Sequence, residues 1–64
     1  MEKDVRLILT TEVDLEAARR LATKLLEGKI VACVTMTPVR SMYRWRGEIE
    51  DADEVQVLLK TTNE

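Results

Sequence analysis

The sequence predicts one small α+β domain whose elements follow the order strand, helix, strand, strand. Two short segments, residues 5–9 and 55–59, alternate between apolar side chains and others, which is typical of strands. Residues 15–27 carry an apolar stripe at helical spacing, and Arg46-Gly47 supplies a two-residue turn. With 64 residues, the chain has room for one small hydrophobic core.

The first strand is predicted at residues 5–9. Val5, Leu7 and Leu9 recur with a period of two, which predicts that they share one buried face. Ile8 makes the opposite face partly apolar, so that face is a second candidate for burial.

The helix is predicted from Leu15 to Glu27. Its apolar stripe comprises Leu15, Ala18, Leu21, Ala22, Leu25 and Leu26. Asp14 is the candidate N-cap, either alone or as the last residue of a capping box that begins at Thr11. Gly28 follows the helix directly, where a helix end favours a residue that adopts a positive φ.

The second strand is predicted at residues 29–37, with both of its faces apolar enough for burial. Pro38 has no N–H to donate, so we expect it at a bulge, a bend or a sheet edge. The chain then continues to Arg46-Gly47 and returns as a third strand, which predicts an antiparallel hairpin.

Together these elements form the β-α-β-β portion of a ferredoxin-like fold. A helix between two strands predicts a parallel pair joined by a right-handed crossover. The second helix and the closing strand of that fold are missing from the sequence. We therefore expect a single domain over residues 1–64 that is truncated at its C-terminal side.

Composition narrows the possible functions. Ten basic and 12 acidic residues give a net charge of −2, whereas nucleic-acid-binding proteins usually carry a basic excess. One cysteine and no histidine exclude an intramolecular disulfide and the usual zinc frameworks. A signal peptide and a membrane-spanning segment are not evident, so we expect a cytoplasmic protein without a membrane partner.

The hairpin turn carries the two aromatic side chains of the sequence, Tyr43 and Trp45. Aromatic residues interleaved with arginines can hold single-stranded bases, which makes a nucleic-acid interface one hypothesis. A two-residue turn, however, places Arg40 opposite Asp53 and sets Arg44 diagonal to Asp51. Cross-strand ion pairs of this kind explain the charges without any ligand, and we expect no nucleic-acid partner.

Cys33 is the candidate metal ligand, because a thiolate is a preferred donor for Cu(I). The alternative is that Cys33 behaves as a small buried apolar residue. Met36 and Met42 are nearby in sequence, but the strand period places Met36 on the opposite face. The acidic run at residues 48–54 lacks the spacing of a calcium-binding loop, and alternation splits its carboxylates between two faces.

The segment "LEGKIVACVTMTPVRSMYRWRGEIE" resembles the CutA family of divalent-cation tolerance proteins. The resemblance rests on Ala-Cys-Val followed by Ser-x-Tyr-x-Trp-x-Gly, and on "VQVLLKTT", which is similar to the family's next strand. It extends along the whole chain but covers only the N-terminal part of a family member.

The resemblance implies a homotrimer in which long hairpins of the second and third strands pair with neighbouring subunits. Tyr43 and Trp45 would then lie in the subunit interface. It also implies weak binding of copper or another divalent cation through Cys33, with no obligatory cofactor. Because the sequence has no histidine to activate Cys33 as a nucleophile, we expect no enzymatic activity. Because no convergent set of ligands is visible, a PII-like signalling or scaffold trimer with incidental metal binding stays as the alternative.

Overall fold

The computed structural model describes residues 5–62 and confirms the predicted order of elements. The elements are β1 (Val5–Glu12), α1 (Leu15–Glu27), β2 (Cys33–Trp45) and β3 (Glu48–Thr62). This is the β-α-β-β portion of a ferredoxin-like fold, as the sequence predicted.

The three strands form one sheet in the order β1-β3-β2, and β3 runs antiparallel to both neighbours. β1 and β2 therefore point in the same direction, as predicted for two strands joined by a helix. They are not a hydrogen-bonded pair, however, because β3 returns from the hairpin turn and inserts between them. This split arrangement places β2 at one edge of the described sheet, which agrees with an edge position for Pro38.

The N-terminus of α1 is capped by Asp14. Its carboxylate accepts a hydrogen bond from the backbone N–H of Ala17 at 2.8 Å. Thr11 belongs to β1 and pairs with Gln56, so Asp14 acts as the cap and the predicted capping box does not form. On the exposed surface of α1, Arg20 and Glu16 form an ion pair at 2.8 Å.

The C-terminus of α1 ends differently from the prediction. Gly28 has an ordinary helical φ of −77°, whereas Lys29 adopts the left-handed conformation with a φ of 58°. Lys29 donates its backbone N–H to the carbonyl of Leu26 at 3.0 Å, and Ile30 donates to Leu25 at 2.9 Å. This pair of bonds is the Schellman pattern, in which the left-handed residue follows the cap.

The connection between α1 and β2 is held by hydrogen bonds to the end of β3. The N–H of Ala32 donates to the carbonyl of Lys60 at 2.8 Å, and the hydroxyl of Thr61 donates to the carbonyl of Ile30 at 3.0 Å. β2 consequently begins at Cys33, later than predicted, because the preceding residues are used to end the helix and join it to the sheet.

The hydrophobic core lies between α1 and one side of the sheet, which we call the helix face. Its buried cluster comprises Ala18, Val31, Val55, Val57 and Leu59, with Leu25, Val34 and Met36 packed against it. The side chain of Val57 is 0% exposed and lies at the centre of this cluster. The alternation of apolar side chains along β3 therefore predicted the core residues correctly.

The predicted burial of Val5, Leu7 and Leu9 is wrong for this chain. These side chains are 60–63% exposed and lie on the side of the sheet that faces away from α1. Ile8 pairs with Leu59 and so belongs to the helix face. The predicted alternation along β1 is correct. Alternation alone, however, does not reveal which of two partly apolar faces of a strand is covered by a helix.

The hairpin extends well beyond the rest of the molecule. Residues 40–45 of β2 and 48–53 of β3 pair only with each other; we call residues 40–53 the arm and the remainder the body. The radius of gyration is 14.4 Å, against about 11 Å for a compact domain of this length. None of the residues in the arm is buried.

Candidate functional site

The side of the sheet away from α1, which we call the open face, is uncovered along its whole length. Cross-strand partners share a face, so the observed register assigns each strand residue to one side. In the body this face presents Val5, Leu7, Leu9, Leu58 and Lys60 together with Cys33 and Thr35. In the arm it presents Tyr43, Trp45, Glu48 and Glu50.

The open face has two apolar clusters at its opposite ends. One cluster is formed by Val5, Leu7, Leu9 and Leu58 in the body, and the other by Tyr43 and Trp45 near the turn. Rows of polar side chains, such as Gln56 between Thr11 and Thr37, separate the two clusters. Contiguous exposed apolar side chains of this kind make the open face a candidate surface for binding another macromolecule.

The aromatic cluster is positioned by a tight turn. Trp45 pairs with Glu48 across a two-residue loop, in which Arg46 has a φ of 52° and Gly47 a φ of 82°. Two positive φ values are the signature of a type I′ turn, so the predicted two-residue hairpin is confirmed. The guanidinium carbon of Arg46 lies 5.5 Å from the centre of the Trp45 ring, and Tyr43 and Trp45 remain 48% and 57% exposed.

The opposite side of the arm belongs to the helix face and is occupied by an ion-pair cluster. Arg40 donates to Asp51 at 2.6 Å and to Asp53 at 3.1 Å. The pairing of Arg40 with Asp53 is as predicted, whereas the expected partner of Asp51 was Arg44. The guanidinium of Arg40 thus binds both carboxylates and is not free to bind a nucleic acid.

Cys33 is exposed at the first position of β2, opposite Lys60. Within the single chain the Cys33 side chain is therefore not buried, and its thiol is accessible from solvent. Met36 and Met42 lie on the helix face, as the strand period predicts, so their sulfur atoms point away from Cys33. The three sulfur-containing side chains do not converge.

Within residues 5–62, no group of three or more histidine, cysteine, aspartate or glutamate side chains is close enough to hold a metal ion. Alternation separates Glu48 and Glu50 on the open face from Asp51 and Asp53 on the helix face. Within the described residues, the carboxylates of the acidic run therefore lie on two faces of the hairpin and do not converge. Cys33 stands as a single potential donor.

A shallow cleft of about 430 Å³ lies beside α1 and the edge of β2. Its lining residues are Leu15, Arg19, Ala22, Thr23, Leu26 and Met36. Among these lining residues the charged group is the guanidinium of Arg19 and there is no carboxylate, so the cleft does not suit a cation.

No helix within residues 5–62 combines the length and the apolarity that crossing a bilayer requires.

Sequence reasoning missed Lys60 as a residue of the open face. Its ammonium group lies on a strand row between Leu7 and Cys33. The signal was present in the sequence, because Lys60 follows Leu58 at the same period. Recognising it required the register between β1, β3 and β2, which depends on contacts between distant parts of the chain.

Comparison with known proteins identifies relatives along almost the whole chain. The family model described as CutA1 divalent ion tolerance protein matches residues 6–64. A protein from Pectobacterium atrosepticum named divalent-cation tolerance protein CutA is 48% identical over 59 residues, which are 91% of this chain and 54% of that protein. The chain thus spans about half the length of the curated relatives it matches.

Solved structures share the fold. CutA1 from Ehrlichia chaffeensis, described as a divalent ion tolerance protein, superposes with a TM-score of 0.90 at 38% identity, covering 98% of this chain and 60% of that one. A protein from Archaeoglobus fulgidus, described as a periplasmic divalent cation tolerance protein CutA, superposes with a TM-score of 0.87 at 41% identity. That alignment covers 91% of this chain and 57% of the archaeal one.

Proposed function

This chain belongs to the CutA1 divalent ion tolerance family, and on that premise we propose that it acts in divalent-cation tolerance as a homotrimer that binds copper weakly through Cys33. The observation that carries the proposal is the accessible thiol of Cys33 at the start of an edge strand. Copper, or another divalent cation, is the cargo in this account, and the protein needs no resident cofactor.

The chemistry of the donor supports weak rather than tight binding. A thiolate is a soft ligand that suits copper, and one such donor is present on the open face. Because residues 5–62 bring no further histidine, cysteine or carboxylate ligands together around it, a complete coordination shell needs donors from outside this part of the chain. Neighbouring copies of the chain are one source of such donors.

The uncovered open face supports assembly. Val5, Leu7 and Leu9 expose most of their surface there, and Trp45 does the same at the other end. Covering that face with other copies would remove these apolar side chains from water. We propose that the hairpin of β2 and β3 provides these contacts, with Tyr43 and Trp45 in the interface.

The family description and the names of the curated relatives refer to cation tolerance and to no catalytic activity. They give no support to the alternative of a signalling or scaffold trimer. We propose that the chain is not an enzyme, and a substrate screen that detected turnover would overturn this part of the account.

We propose a cytoplasmic location, where a reducing environment keeps the Cys33 thiol free. Fractionation of cells that produce the tagged protein tests this directly. Recovery in the periplasmic fraction, the compartment named for the archaeal relative, would overturn the proposed location.

Native mass spectrometry during a copper titration under reducing conditions tests the metal proposal. We expect a trimer that takes up about one copper ion per chain, and loss of that copper in Cys33→Ser while the trimer remains. Met36→Leu is the matched control, because it removes a sulfur atom from the helix face. An unchanged copper stoichiometry in Cys33→Ser would overturn the role of Cys33.

A further inference from the structure

The cleft beside α1 and the edge of β2 is lined by one stripe of the helix. The side chains that α1 contributes recur at helical spacing and are Leu15, Arg19, Ala22, Thr23 and Leu26. Leu15 and Leu26, at the two ends of this stripe, are 50% and 42% exposed. The apolar surface of this stripe is therefore left partly open to water, although α1 buries Ala18 and Ala22 completely or nearly so.

The cleft has the size and the lining of a small-molecule site. Its volume of about 430 Å³ lies within the range of about 300 to 1,000 Å³ that is typical of ligand sites, which are mostly apolar with a few polar groups. Buried Ala22 and half-buried Met36 contribute apolar surface between the two leucines. An apolar chain lying there would remove this surface from water.

Arg19 supplies the charged group of the cleft, and its guanidinium is available to a ligand. None of the ion pairs between described residues involves Arg19. Glu16, three positions before it on α1, is held by Arg20 at 2.8 Å. The hydroxyl of Thr23 donates to the backbone carbonyl of Arg19 at 2.8 Å, so its proton is used within the helix.

The guanidinium selects the chemistry of the ligand. A guanidinium carries parallel N–H donors whose spacing matches the two oxygens of a carboxylate. Arg19 and Leu26 are seven positions apart on α1, which corresponds to about 10 Å along the helix axis. A ligand that satisfies both groups has a carboxylate at one end and an apolar chain of medium length.

We propose that this cleft binds an amphipathic carboxylate. Its carboxylate pairs with Arg19, and its hydrocarbon chain lies along Ala22, Leu26 and Met36. The site is on the helix face, and it uses neither Cys33 nor the contacts proposed between copies of the chain. It therefore adds a ligand to the proposed function and stands or falls separately from it.

A titration of the isotope-labelled full chain with octanoate, followed by nuclear magnetic resonance, tests the proposal. We expect the backbone amide signals of residues 15–26 and of Met36 to shift together and to saturate. Acetate offers the carboxylate alone and octan-1-ol the chain alone, so each should bind at least about fivefold more weakly than octanoate. Absence of saturable shifts with octanoate would overturn the inference, and so would shifts confined to the open face.

Substitution of Arg19 tests the role of its charge. Arg19→Gln should weaken octanoate binding about fivefold and leave octan-1-ol binding unchanged, since the alcohol carries no charge. Lys24→Gln is the matched control, because it removes one positive charge from α1 at a position that does not line the cleft. Circular dichroism confirms that both variants keep the helix. Equal octanoate affinities of the two variants would contradict the proposed pairing with Arg19.

Discussion

Strands β2 and β3 run through both the body and the arm, yet the two regions are stabilised in different ways. In the body, Val57 and its neighbours are buried beneath α1, whereas in the arm even the large side chains Trp45 and Ile49 are mostly exposed. Two-stranded ribbons are marginally stable in water on their own. The difference indicates that the body holds the fold of a single chain, and it supports the proposal that the arm contacts other copies.

The largest expected effect is a loss of stability on truncating a buried side chain of the body, compared with an exposed one of the arm. Val57→Ala removes two methyl groups from a fully buried site, which should lower the free energy of unfolding by about 2 to 3 kcal/mol. Ile49→Ala in the arm is the matched control, because Ile49 is 74% exposed. Chemical denaturation checks both, and equal losses in the two variants would remove the distinction between body and arm.

Trp45→Ala should act on assembly rather than on the fold of the single chain. Truncating a large aromatic side chain at the centre of an interface costs about 2 kcal/mol or more of association free energy. Met42→Ala is the control, since Met42 lies on the other side of the arm. Analytical ultracentrifugation measures both variants, and an undisturbed oligomer with Trp45→Ala would show that the arm is not the interface.

A smaller effect is expected at the N-terminus of α1, within the body. Asp14→Ala leaves the backbone N–H of Ala17 without its acceptor and should lower stability by about 1 kcal/mol. Asp14→Asn keeps a side-chain oxygen at the same place and should retain most of that stability. Thermal unfolding distinguishes the two variants, and equal losses would indicate that the charge of Asp14 matters more than its hydrogen bond.

Lys29→Gly should stabilise the body. Lys29 occupies the left-handed conformation that glycine adopts without steric cost, so the substitution should raise stability by up to about 1 kcal/mol. Arg46→Gly makes the same kind of change in the arm, where it should leave the global unfolding midpoint almost unchanged. A shift of the midpoint by Arg46→Gly alone would mean that the arm, not the body, limits stability.

The smallest expected effect concerns the ion pairs of the arm. Arg40→Ala should cost at most about 1 kcal/mol, because the guanidinium and both carboxylates are well exposed and are screened by salt. Its effect on unfolding should shrink as the salt concentration increases. A loss that does not depend on salt would indicate that Arg40 packs against something more than Asp51 and Asp53.

Local rules predicted much of the fold, because they depend on residues close together in sequence. Asp14 lies where a cap is needed, and Arg46-Gly47 fixes both the turn and the register of the arm. The predictions were wrong where contacts between distant parts of the chain determine the structure. Whether Val5 or Ile8 faces α1 depends on the insertion of β3 between β1 and β2, which no short segment encodes.

The candidate site was predictable to a similar extent. Cys33 was identified by its chemistry, but its exposure depends on where β2 begins, and this is set by the way Lys29 ends the helix. Tyr43 and Trp45 were recognised from their place beside the turn. Their place on the same face of the sheet as Val5, Leu7 and Leu9 became visible only with the register of the whole sheet.

Hydrogen exchange at two protein concentrations tests the central claim that the arm depends on other copies whereas the body does not. Backbone amides in the arm should exchange slowly when the chain is concentrated and much faster on dilution below the dissociation constant of the assembly, while those of Val55, Val57 and Leu59 should keep the same protection. Arm amides that exchange at one rate at both concentrations would contradict the account.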